Sequence, residues 1–183
     1  MSEANELLNA YENQLQLPWE KNLAGPEKVW FVVYTPSQER RIRLRVDDFA
    51  AITQKAGYKW KLVDVTNAFA HWMANHEYRE AYFKQPELAE IALQDFTEYV
   101  VESVREALVD PIVDENTIVS VLGVGSLFGL TKVSTIVDKV TKYIKGRLLV
   151  LFPGNHEGSN YRLLDARDGW DYMAIPIKAE KGS

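Results

Sequence analysis

Five short stretches of this chain are close to uniformly aliphatic, β-branched or aromatic, and a segment of different periodicity separates each from the next. They are 28–34 (KVWFVVY), 58–65 (YKWKLVDV), 117–122 (TIVSVL), 147–152 (RLLVLF) and 172–177 (YMAIPI). A strand wetted on one side alternates apolar and polar residues, whereas a continuous apolar strand is buried on both faces. Buried strands alternating with helices satisfy both faces when a parallel sheet is covered by helices above and below. The expected fold is therefore α/β and three-layered. It has a mostly parallel five-stranded sheet with helices on both faces and a P-loop-like or Rossmann-like topology, without an intact Walker A motif. At 183 residues the chain is about one domain long. It reads as a single α/β domain over 1–183, with an N-terminal helix and linker over 1–27 and a core over 28–178.

The connecting segments carry helix signals. Leu7, Leu8, Tyr11 and Leu15 recur at helical spacing within 4–16, before Leu17 and Pro18. After the first strand, Thr35, Pro36 and Gln38 supply a cap, a first-turn proline and a capping-box residue, predicting a helix to Ala56 that stops at Gly57. A second reading competes there, because 41–46 (RIRLRV) alternates with period two and could form a hairpin strand. A short helix is expected from Thr66 and Asn67 to Ala74, a helical turn over 78–83, and a long helix from Pro86 to about Leu108. The inner stripe of that long helix is Leu88, Ala92, Phe96, Val100, Val104 and Leu108. A further helix is expected over 130–144, striped by Val133, Ile136, Val137 and Val140 and capped by Gly146.

Composition narrows the chemistry. With no cysteine, disulfides, thiolate zinc, iron–sulfur clusters and a cysteine nucleophile are excluded. No apolar run reaches the ~20 residues that span a bilayer, and the first residues lack a signal-peptide pattern, so a cytoplasmic location is expected. The net charge of −5 argues against a protein whose affinity comes mainly from neutralising phosphates. Glu87, Glu90, Asp95, Glu98, Glu102 and Glu106 face one base in the same window, Arg105, and so account for the whole net charge. This acidic helix face is either a solvated surface or a docking strip for a basic partner, with Glu98, Glu102 and Glu106 as its candidates. Arg40, Arg41, Arg43 and Arg45 form a basic cluster diluted by Glu39, Asp47 and Asp48. That dilution favours a solvated face, or a protein-docking face with Arg40 and Arg41 as its candidates, over direct DNA binding.

In parallel sheets, ligands gather beyond the carboxyl ends of the strands. The loop after the third strand, with Gly123, Gly125, Ser126, Gly129 and Thr131, sits there in a strand-to-helix context; it reads first as a structural turn and second as a residual anion or nucleotide site. It is not a P-loop, because Leu130 stands where the lysine belongs, and its glycine spacing misses the dinucleotide pattern. Ser126 is in the wrong register for a hydrolase elbow, and His156 is the single histidine that follows it. His71 and His76 are five apart, which does not align two imidazoles on one helical face. The polar segment 153–160 reads as a turn at the functional edge. Asp165, Arg167, Asp168 and Asp171 beyond it have no recognisable metal-ligand spacing and read as structural pairs. No catalytic set, metal site or cofactor is expected, and the five tryptophans are candidate anchors.

The segments 147–154 (RLLVLFPG), 160–170 (NYRLLDARDGW) and 123–129 (GVGSLFG), together with 39–41 (ERR) and 76–80 (HEYRE), occur in an order that resembles the BrxB family. Members of this family are small components of bacteriophage exclusion (BREX) defence systems. The resemblance runs from about Trp30 to Ile177, and the chain departs from the family pattern at Asn155, where an acidic residue is common. It implies membership of an antiviral operon that also encodes the alkaline-phosphatase-like PglZ, an adenine-specific DNA methyltransferase and a large ATPase. The family has no established catalytic residues in this component. The expectation is a non-catalytic adaptor or scaffold that recruits or positions PglZ first, and possibly the methyltransferase or ATPase. The alternative is a nucleotide- or anion-responsive regulatory subunit that binds at the loop from Gly123 to Thr131.

Overall fold

A computed structural model describes residues 1–77 and 79–180, the side chains of Arg79, Tyr82, Phe83, Pro86 and Ala89 excepted. Helix α1 (Glu3–Gln16) opens on Ser2, whose hydroxyl accepts from the Asn5 amide. Strand β1 (Val29–Tyr34) is buried at every position. It leads through a short 3-10 turn into helices α2 (Glu39–Leu44) and α3 (Val46–Lys55). The expected single helix is thus two, broken at Arg45, where φ and ψ are −105° and 8°. The break turns Ile42, Val46 and Phe49 together onto the sheet. Residues 41–44 are helical, so the hairpin strand does not form. Gly57, at φ +89°, ends the segment as expected.

Strand β2 (Lys59–Asp64) leads to α4 (Ala68–Ala74), α5 (Arg79–Lys84) and the long α6 (Pro86–Val109). Of the turn expected over 78–83, Tyr78 lies outside the described residues. Strand β3 (Thr117–Leu122) continues into a 3-10 turn at Val124–Leu127, and α7 (Val133–Val140) starts three residues later than expected. Strand β4 (Arg147–Glu157) overruns its expected end and pairs with β5 (Asn160–Leu163) as an antiparallel hairpin. Segment 153–160 is therefore mostly strand, and its turn is confined to Gly158 and Ser159. Short β6 (Trp170–Asp171) pairs with β5, and β7 (Ile175–Lys178) follows, starting later than the expected 172–177.

The five parallel strands lie in the order β2-β3-β4-β1-β7, with β5 and β6 as an antiparallel extension of β4. Alternate residues of each central strand point to opposite layers. Trp30, Val32, Tyr34, Leu149 and Leu151 pack with α1, α2 and α3. Phe31, Val33, Val119, Val121, Val150 and Phe152 pack with α4, α6, α7 and the hairpin. Edge strand β2 departs from its expected burial, because Lys59, Leu62 and Asp64 are exposed. Lys59 and Lys61 reach Asp114 and Asp110, each at 2.6 Å, and put charge beside the sheet's free edge. Among the described residues no helix is long and apolar enough to cross a membrane.

Candidate functional site

At the carboxyl edge of the sheet, side chains from β1, α2 and the end of β2 form one polar chain. Tyr34, buried at the end of β1, donates its hydroxyl to the Glu39 carboxylate. Burial, followed by the Glu39 carboxylate, pushes the Tyr34 phenol far above its ordinary range, so it stays a donor at all ordinary pH. Glu39 accepts from Arg43 at 3.2 Å, and Arg43 also reaches Thr66 Oγ1 at 2.8 Å and Asp64 at 3.4 Å. Asp64 in turn accepts from the Thr66 amide at 2.9 Å and from the Thr66 hydroxyl. Arg43 and Asp64 are partly exposed, so each ion pair stabilises by at most about 1 kcal/mol. The network chiefly fixes where the loops after β1 and β2 sit.

The glycine loop closes against this network. Gly123 has φ +91°, and a Cβ there would lie 2.3 Å from Thr66 Oγ1 and 2.8 Å from the Thr66 nitrogen. A Cβ on Gly125 would come within 3.3 Å of Pro153. The Ser126 hydroxyl donates to the Gly123 carbonyl at 2.7 Å and to Val65 at 3.3 Å. The amides of Ser126, Phe128, Leu130 and Thr131 bond carbonyls of the same loop, and the Thr131 hydroxyl meets Thr97 of α6 at 2.6 Å. Of the five loop residues read from the sequence, Gly123 and Ser126 thus face the chain's own backbone, and Gly125 faces the side chains of Pro153 and Leu164. Gly129 and Thr131 lie elsewhere, in the wall of a groove.

That groove, of about 500 Å³, runs between residues 128–134 and the segment from Leu163 to Trp170. Phe128, Leu130, Leu163 and Trp170 give it apolar walls, and Lys132, Arg167 and Asp168 give it charge. Lys132 and Arg167 make no ion pair with a described residue. Trp170 packs edge-on against Phe152, with ring centroids 5.6 Å apart, and its indole N–H is buried without a partner among the described residues. Arg167 and Asp168 therefore join Gly129 and Thr131, while Asp171 accepts from Ser159 at 3.1 Å on the hairpin. His71 is exposed, and His76 packs on Trp72 with centroids 4.7 Å apart. Among the described residues no group of three His, Asp or Glu side chains is placed to hold a metal ion.

The candidate docking residues divide. On α6, Phe96, Val100, Val104 and Leu108 are buried, and Glu90, Asp95, Glu98, Glu102 and Glu106 are exposed with Ile91 and Tyr99 among them. Glu98 pairs with Lys139 of α7, and Glu102 pairs with Arg105. The Arg105 guanidinium holds the Glu102 carboxyl below its ordinary range. Of the four clustered arginines, Arg43 belongs to the edge network and Arg45 bonds Asp48 and Asn5, whereas Arg40 and Arg41 are exposed. No tryptophan is fully exposed: Trp30 and Trp72 are buried, and Trp19, Trp60 and Trp170 are half-buried. The chain matches no family model, no curated protein and no solved structure.

The residues that sequence reasoning passed over are Tyr34, Asp64, Thr66 and Arg147. Asp64 and Thr66 carry a local signal, an Asp whose side chain caps the amide two residues on. Arg147 carries none. It is 5% exposed, lies 4.7 Å from the Trp19 ring and 6.0 Å from the Trp30 ring, and donates to the carbonyls of Gly146 and Glu20.

Proposed function

We propose that this chain is a non-catalytic adaptor or scaffold subunit of a phage-exclusion complex, with PglZ as the first partner to test. Two things support the reading: the resemblance of its separated motifs to BrxB components, and the free surface of α6. The observation that carries it is that outer face. A helix of 24 residues buries one stripe in the core and leaves exposed, between Glu90 and Glu106, a second of acids interrupted by Ile91 and Tyr99. Apolar side chains among mostly acidic neighbours, two of them paired with Lys139 and Arg105, suit a partner that brings a basic, partly apolar segment.

The test is co-expression of the gene neighbourhood followed by purification through this chain. Capture of PglZ or the methyltransferase at moderate salt is expected, and clean separation of every pair refutes the adaptor reading. Reversing Glu98, Glu102 and Glu106 to lysine should abolish capture while the melting temperature stays close to wild type. Because Glu98 and Glu102 have intramolecular partners, Glu90→Lys with Asp95→Lys serves as the independent variant. Undiminished capture in both rules out this face.

A further inference from the structure

We propose that the groove between the β3–α7 loop and the β5–β6 connection is a binding site for a nucleoside monophosphate. Its location is the first argument. The groove opens beyond the carboxyl ends of β3 and β4, the edge at which parallel sheets present ligands. Its size is the second, since about 500 Å³ falls within the ~300–1,000 Å³ of small-molecule sites. The third is the chemistry of the walls. Phe128 is 45% exposed although its loop neighbour Leu127 is 1% exposed, so this ring is held at the rim and not in the core. With Trp170, Leu130 and Leu163 it offers apolar surface to a planar base.

Charge selects the rest of the ligand. Lys132 and Arg167 are cations without an ion-pair partner among the described residues, and Asp168 is the acid beside them, so the walls carry a net single positive charge. That balance suits one phosphate group and leaves a carboxylate to accept from a ribose hydroxyl or an exocyclic amine. A triphosphate would bring more negative charge than two cations and an acid can offset. Gly129, at φ +78° with open space where a side chain would stand, keeps the mouth of the groove clear.

The site is independent of the adaptor reading, because its residues lie apart from the α6 acids, so either can fail alone. Titration calorimetry of the full chain with AMP should show one site, with inorganic phosphate alone and adenosine alone each at least ~10-fold weaker. Lys132→Gln with Arg167→Gln should weaken AMP by ~10-fold or more and leave adenosine unchanged. Phe128→Ala should weaken AMP and adenosine alike. All three side chains are exposed, so the variants should melt with the wild type and retain partner capture. Absence of AMP binding, equal affinity for AMP and inorganic phosphate, or unchanged AMP affinity in either variant overturns the proposal.

Discussion

Gly123 offers the sharpest test of how the carboxyl edge is assembled. Replacing it with alanine does two separable things. First, φ of +91° places an L-residue in the left-handed region, which destabilises by ~1–2 kcal/mol. Second, the new methyl would sit 2.8 Å from the Thr66 nitrogen and 3.0 Å from its Cα, both backbone atoms that cannot rotate away. The loop after β2 must move, which stretches the Arg43 to Thr66 bond of 2.8 Å and the Val65 to Leu122 bond of 2.9 Å. Weakening those two bonds adds about 1–2 kcal/mol, for a total near 3 kcal/mol. In a chain of this size each kcal/mol moves Tm by roughly 2–4 °C, so the expected fall is roughly 6–12 °C. Gly57→Ala and Gly129→Ala are matched controls. Both positions have positive φ, and both have open space where the Cβ would go, so they carry the backbone penalty alone. Urea denaturation of the three variants isolates the steric part as the difference between Gly123→Ala and the controls. If Gly123→Ala is no less stable than Gly57→Ala and Gly129→Ala, the loop does not press on Thr66 and the interlock described above is wrong.

Two further outcomes follow from buried charge. Among the described residues Arg147 has no carboxylate partner within ion-pair distance, and burial lowers its pKa, so desolvation opposes its ring and carbonyl contacts. Arg147→Met keeps the volume and should fall within about 1 kcal/mol of wild type. Arg147→Ala leaves a cavity between Trp19 and Trp30 and should lose about 2–4 kcal/mol by urea denaturation, and a larger loss in the Met variant than in the Ala variant refutes the balance. His156, packed on Tyr161 with Lys178 nearby, has its pKa lowered by burial and then by that lysine. Its folded value lies below its unfolded value of ~6.5, so its contribution is complete above that pH and is lost as pH falls through the lower folded value. His156→Gln should therefore flatten the fall in urea midpoint between pH 7 and pH 5. Asp110 and Asp114, held low by Lys61 and Lys59, act only below about pH 4, so an unaltered slope in the variant removes the histidine from the account.

What the sequence made legible was whatever a local pattern enforces. The apolar runs of β1, β3 and β4 announce a doubly covered sheet because every position in them is buried. The inner stripe of α6 is readable for the same reason from Ala92 to Leu108, whereas Leu88 is half-buried. The failures came where distant segments decide. Pro153 and Gly154 look like a strand terminator, yet a Cβ at Gly154 would lie 2.0 Å from the Arg162 carbonyl. The glycine is there to let β5 approach, not to end β4. The break at Arg45 has no glycine or proline to mark it and follows from docking Ile42 and Phe49 on one face. The edge network joins Tyr34, Glu39 and Arg43 to Asp64 and Thr66 across more than twenty residues of sequence, and nothing in either segment names the other.

The strand order explains why the groove lies where it does. The connection from β1 carries the chain through α2 and α3 to the far edge at β2, whereas the connection from β4 carries it to β7 on the other side. The direction of winding therefore reverses between β1 and β4, and in open sheets that reversal leaves the crevice in which ligands sit. Here β4 does not stop at the crevice. Tyr34, the last residue of β1, pairs with Pro153, and β4 runs on through four more residues that pair with β5. The Leu164 amide then bonds the Pro153 carbonyl at 2.8 Å and pins the returning chain over the same place. The hairpin so occupies the reversal point, and the next opening along the edge is bounded by what the hairpin leaves behind, with the β3–α7 loop on one side and residues 163–170 on the other. A ligand at this edge would therefore meet Lys132, Arg167 and Trp170 in place of a glycine cradle, because Gly123 and Gly125 are packed against Thr66 and Pro153.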